Sequence, residues 1–124
     1  MAESSFTRVE PLPLDVVRPG SRASIAVVTV DKVGGREAPI VQQELTAAAE
    51  ASRWRLGIDL SGVTLLSSIG LGALVTLHKR AREEGGAVVI FGIGKELMDV
   101  LKLTHLDRVL SIVKDSSAAT KAIA

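Results

Sequence analysis

Hydrophobic positions along the chain change period repeatedly, and each change marks an element. Ser24 to Val30 is a run of β-branched and small apolar residues that predicts a strand, with Gly34-Gly35 as punctuation after it. Val41, Leu45, Ala48 and Ala49 then recur at helical spacing behind Pro39, a residue suited to a first helical turn, so a helix is expected to end near Ser52. Leu56, Ile58 and Leu60 alternate with small or polar residues and predict a second strand over Arg55 to Leu60. Leu71, Leu74, Val75 and His78 share one face of a second helix, which Gly85-Gly86 stops. Ala87 to Phe91 is a continuous apolar run, short enough for a buried strand. Leu97, Val100 and Leu101 predict a short third helix, Val109 to Val113 a last strand, and Ser116 to Ala124 a weak fourth helix. Ahead of all these, Pro11, Pro13 and Pro19 confine residues 1–23 to an extension or an edge strand, because proline cannot donate to a central ladder.

Strands and helices that alternate over short connections imply parallel neighbours joined by helical crossovers. The expected fold class is therefore α/β: one domain over 24–124, with a mixed central sheet of four to five strands packed with about four helices. At 124 residues the chain is long enough for one core.

Composition narrows the function. Lys and Arg total 15 against 14 for Asp and Glu, so the net charge of +1 supplies no field to attract nucleic acid or anionic lipid. Phe6, Trp54 and Phe91 are too few to form a stacking platform for bases. The absence of cysteine removes disulfides, thiolate metal sites and thiol nucleophiles, and agrees with a reducing compartment. Met1 to Phe6 has no basic run leading into an apolar stretch, and no apolar run approaches the roughly 20 residues of a membrane span. A cytoplasmic protein is expected.

Signatures of catalysis are weak. Gly92-Ile93-Gly94-Lys95 lacks the first glycine and the terminal Ser or Thr of a phosphate-binding loop, and reads as a turn. Ser67 and Ser68 have no glycine two residues ahead to form a nucleophile elbow. His78 belongs to an apolar stripe, and His105 has no partner at metal-ligand spacing. Lys79, Arg80 and Arg82 read as a solvated helix side. No enzyme activity, metal or cofactor is expected.

The informative segment runs from Ile58 through Asp59-Leu60-Ser61-Gly62 and Ser67-Ser68-Ile69-Gly70-Leu71-Gly72 to Leu74, between a strand and a helix. It resembles the STAS family of anti-sigma-factor antagonists, in which a strand ends in Asp-x-Ser and Asp-Ser-Ser/Thr-Gly-Leu-Gly opens a helix. Gly85-Gly86 ahead of the Ala87 strand, and Leu97 to Thr104 ahead of Val109, extend the resemblance over about Ile25 to Asp115. It implies a phosphoacceptor at Ser68, with Ser67 as second choice, and partner contacts by Asp59, Ser61, Ser67, Ser68, Ile69, Gly70, Leu71 and Gly72. The implied partners are an anti-sigma factor with serine kinase activity and a phosphoserine phosphatase. Two positions depart from the pattern: Ser67 stands where the family has Asp, and Ile69 where it has Ser or Thr. The first departure motivates an alternative, a scaffold or assembly subunit of a signalling complex or lipid transporter without phosphorylation control. Independently of the family, Ser68 is a candidate N-cap for a helix beginning near Ile69 or Gly70. The oligomeric state is not encoded in any of these motifs.

Overall fold

The computed structural model describes residues 5–124. Residues 1–4, where the N-terminal extension and the reading of Met1 to Phe6 begin, lie outside the described residues. Five strands form one sheet: β1 (Thr7–Pro11), β2 (Ser24–Val28), β4 (Arg55–Asp59), β6 (Ala87–Phe91) and β7 (Ser111–Ile112), in the order β1-β2-β4-β6-β7. The first pair is antiparallel and the other three are parallel. Two further strands, β3 (Lys32–Val33) and β5 (Leu65–Leu66), pair parallel as a separate ribbon.

Each parallel step is crossed by a helix, α1 (Ala38–Ala51), α2 (Ser68–Glu83) or α3 (Lys95–Leu103), and the chain closes with α4 (Ser116–Ile123). The sheet separates two apolar layers. Ala26, Val28, Leu56, Ile58, Val88 and Ile90 pack with Val41, Leu45, Leu74, Leu77, Leu97 and Leu101 of the first three helices. Ile25, Val89 and Phe91 pack on the opposite face with Ala119 and Ile123 of α4. The continuous apolar run of β6 thus serves both layers, alternate residues pointing each way.

The N-terminal strand is tied across to α1: Glu44 Oε1 accepts from the Phe6 amide (3.0 Å) and the Thr7 hydroxyl (2.8 Å). Gly85 takes φ +78° and ends α2 as expected. Arg80 sits 4.8 Å above the buried Trp54 ring, so the basic side of α2 includes one cation–π contact beside solvated charges.

Three boundaries differ from the sequence expectation. The strand predicted to Val30 stops at Val28, because Lys32 and Val33 leave the main sheet to pair with Leu65 and Leu66. The strand predicted over Val109 to Val113 shrinks to Ser111–Ile112, since Leu106–Arg108 forms a 3-10 turn ahead of it. The third concerns the start of α2 and bears on the site.

Candidate functional site

Asp59 ends β4, and its Oδ1 accepts from the Ser61 amide at 2.9 Å. This side-chain turn reverses the chain after the strand. Leu60 holds the turn against the neighbouring strand by donating its amide to the Phe91 carbonyl (3.0 Å). A Cβ on Gly92 would lie 2.9 Å from Asp59 Oδ1, so Asp59 and Ser61 face the β6–α3 connection.

The chain then passes Gly62 and Val63 and is hooked at Thr64, whose amide and hydroxyl both donate to the Asp31 carbonyl (2.7 and 3.2 Å). The Ser67 amide donates to the Val33 carbonyl (2.8 Å). These bonds fix the β3–β5 ribbon and deliver the start of α2 in one orientation.

Ser67 is the N-cap of α2: it is extended (φ −69°, ψ 168°), and its Oγ accepts from the Gly70 amide at 3.2 Å. Ser68, expected to cap, is instead the first helical residue. The physical reason is the ribbon, which holds Ser67 in an extended conformation one residue before the apolar periodicity suggests a helix start. Ser67 is half-buried and its hydroxyl is committed to the cap; Ser68 is exposed. The Ser67→Ala variant is expected to lose about 1 kcal/mol of stability, whereas Ser68→Ala stays within about 0.5 kcal/mol of the parent, both read by urea denaturation.

The two glycines of this turn differ. A Cβ on Gly70 would meet Leu66 Cδ1 at 2.7 Å and Val33 Cγ1 at 3.4 Å, so its missing side chain lets α2 lie close on the ribbon. At Gly72 a Cβ would meet nothing within 4 Å. Gly72→Ala is therefore expected to stabilise the fold by about 0.5–1 kcal/mol through helix propensity, measured as a rise in the urea midpoint. The Leu71 side chain is buried in the core, and Ile69 is 53% exposed.

The predicted residues thus divide into an Asp59–Ser61 turn beside Gly92, an exposed set of Ser68, Ile69 and Gly72, and the inward-facing Gly70 and Leu71. The sequence reading missed Leu65, 49% exposed on the ribbon that leads into α2. The run Val63-Thr64-Leu65-Leu66 carries the signal for it, since it is too apolar for an idle loop.

At the opposite end of the sheet, a groove of about 630 Å³ runs between the segment after β1 and the last turns of α1, lined by residues including Leu12, Val17, Arg22, Ala48 and Arg53. Among the described residues no group of three or more His, Asp or Glu is placed to hold a metal ion, and no helix is long and apolar enough to cross a membrane.

The family model described as STAS domain matches residues 32–119, the span that contains the ribbon, the α2 start and the parallel strands β4, β6 and β7. The chain belongs to the STAS domain family. An anti-sigma-B factor antagonist of Listeria monocytogenes is 27% identical over 88 residues, which cover 71% of this chain and 77% of that protein. Two solved structures share the STAS fold. An anti-sigma-factor antagonist (STAS) domain protein from Planctomyces limnophilus superposes with a TM-score of 0.67 at 24% identity, over 81% of this chain and 90% of that one. A crystal structure of a Thermotoga maritima protein gives a TM-score of 0.69 at 21% identity, over 80% and 86%. At these identities the structures establish the STAS architecture alone.

Proposed function

We propose that this STAS protein is an anti-sigma factor antagonist: a non-catalytic, cytoplasmic binding module that captures an anti-sigma factor with serine kinase activity and so frees a sigma factor. The observation that carries the proposal is the exposed Ser68 at the first turn of α2, with the exposed aliphatics Leu65 and Ile69 close by in the chain. Apolar side chains around a polar hydroxyl supply desolvation energy for docking and a single point at which charge can oppose it. Asp59, Ser61, Ser67 and Gly72 complete the contact surface, while Gly70 and Leu71 act from beneath it by holding the helix in place.

Ser68 is the phosphoacceptor in this reading. Ser67 is disfavoured because it is half-buried and its hydroxyl is committed to the α2 cap, which makes it the less accessible acceptor. The partner supplies the kinase activity, and a phosphoserine phosphatase restores the binding form. Incubation with the cognate anti-sigma factor and ATP, followed by mass spectrometry, is expected to place one phosphate on Ser68; phosphate on neither Ser67 nor Ser68 would remove the switch.

A second reading is favoured by one specific observation. Ser67 occupies the position at which the resemblance calls for Asp, and it serves as a structural cap. A scaffold or assembly subunit, in a signalling complex or a lipid transporter, would need the docking surface but no phosphorylation. Light scattering after size-exclusion chromatography, with and without cell lysate, separates the two, because only the scaffold yields a stable large assembly.

A further inference from the structure

We propose that a second copy of this chain pairs with the open edge of β1, joining two sheets into one across a two-fold axis. Among the described residues β1 has β2 as its only ladder partner. The Thr29 amide donates to the Phe6 carbonyl and the Leu12 amide to the Ala23 carbonyl, which fixes the ladder's phase. The Phe6 carbonyl and the backbone groups of Arg8, Glu10 and Leu12 point toward β2, so Thr7, Val9 and Pro11 direct theirs away. Proline at an outward position fits this phase, since no amide is required there for β2.

Antiparallel pairing of two such edges, centred on Val9, satisfies the free groups. Each Val9 amide donates to the Val9 carbonyl of the other copy, and each Thr7 amide exchanges its long bond to the Ser5 hydroxyl (3.4 Å) for the other copy's Pro11 carbonyl. The one bond that Pro11 cannot donate is the one not needed, because the Thr7 carbonyl already accepts from the Ser5 hydroxyl at 2.7 Å.

The same register decides the charges. Charged residues on an edge strand ordinarily discourage pairing. Here Arg8 and Glu10 lie symmetrically about Val9, so each Arg8 faces Glu10 of the other copy, twice over. The existing Arg8–Glu10 pair, 3.0 Å apart and more than half exposed at both ends, becomes one side of a square of alternating charge. A register displaced by two residues puts like charges opposite one another or leaves charges unpaired. The edge is thus self-complementary, which is the requirement of an isologous contact. Val9, 42% exposed, meets its own symmetry mate on the α1 side of the sheet.

The interface uses no residue of the α2 site, so it stands or falls independently of the function proposed above. Sedimentation equilibrium of the full chain from about 1 µM to about 500 µM is expected to show a reversible monomer–dimer equilibrium, weak because a five-residue strand buries little area. Arg8→Glu should weaken dimerisation about tenfold or more, by setting Glu opposite Glu twice, and the exchanged pair Arg8→Glu/Glu10→Arg should restore it. Val9→Pro, which deletes an amide that β2 does not use, should give monomer with an unchanged circular dichroism spectrum. A monomer throughout the concentration range overturns the proposal. So does a dimer indifferent to Val9→Pro and to the charge exchange, since it would be formed through another face.

Discussion

Charging Ser68 is expected to weaken capture of the anti-sigma factor by about a hundredfold or more while leaving the fold intact. A phosphate adds roughly −1.5 to −2 charges at pH 7. In the isolated domain those charges sit at the positive end of α2, where the amides of Ser68 and Ile69 precede the first intrahelical bond, so the helix tolerates them. Unfolding free energy should therefore move by less than about 0.5 kcal/mol. In the complex the phosphate would have to enter an interface beside Leu65 and Ile69, and its lost hydration costs several kcal/mol unless the partner supplies cations. Calorimetric titration of the unmodified protein, the phosphoprotein, Ser68→Glu and Ser68→Ala against the cognate anti-sigma factor reads the effect directly. The expected order is near-parental affinity for Ser68→Ala, partial loss for Ser68→Glu and the largest loss for the phosphoprotein. Equal affinities across the series would defeat the switch, and failure of the unmodified protein to bind would defeat the antagonist reading itself.

The largest effect on stability is expected from Gly86→Ala, at about 2–4 kcal/mol, seen as a Tm lowered by roughly 10 °C. Gly86 lies where the chain leaves α2 and passes against the strand entry of β4. Its amide donates to the Ala81 carbonyl (2.8 Å), and the next amide, of Ala87, donates to the Trp54 carbonyl (2.7 Å). A Cβ on Gly86 would lie 2.7 Å from the Trp54 carbonyl carbon and closer still to its oxygen. Those atoms are backbone and cannot rotate away as a side-chain tip would. Arg53 and Trp54 also take left-handed φ values of 54° and 63°, so the segment has little freedom left to adjust. The contrast with Gly72→Ala makes the test specific: the same substitution should stabilise at the open helical position and destabilise at the crossing. Equal effects at both positions would show that helix and strand propensity, not the crossing, governs these glycines.

The helices and the main-sheet strands β2, β4 and β6 were legible in the sequence because each has enough residues for its period to show. The helical stripe of Val41 and Leu45, the stripe of Leu71 and Leu74, and the apolar run ending at Phe91 each bury the face that their spacing predicts. The β3–β5 ribbon was not legible. Two residues per strand cannot display a period, and Lys32 and Leu65 are neighbours only because the β2–α1 and β4–α2 connections run side by side. The displaced start of α2 follows from the same contact, since a single bond from Ser67 to Val33 decides which serine caps and which is exposed.

By itself the sequence determined the alternation of strand and helix, the buried stripes of Val41 and Leu45 and of Leu71 and Leu74, and the loop in which Ser67 and Ser68 lie, because periodicity and turn chemistry are local properties; Val100, at helical spacing with Leu97 and Leu101, is exposed. Only the tertiary structure decided that Ser68 is exposed while Ser67 is the cap, that Gly70 is packed while Gly72 is open, and that β1 presents Val9 outward. Each of those outcomes depends on a bond or an approach between segments distant in the chain, and no local pattern carries that information.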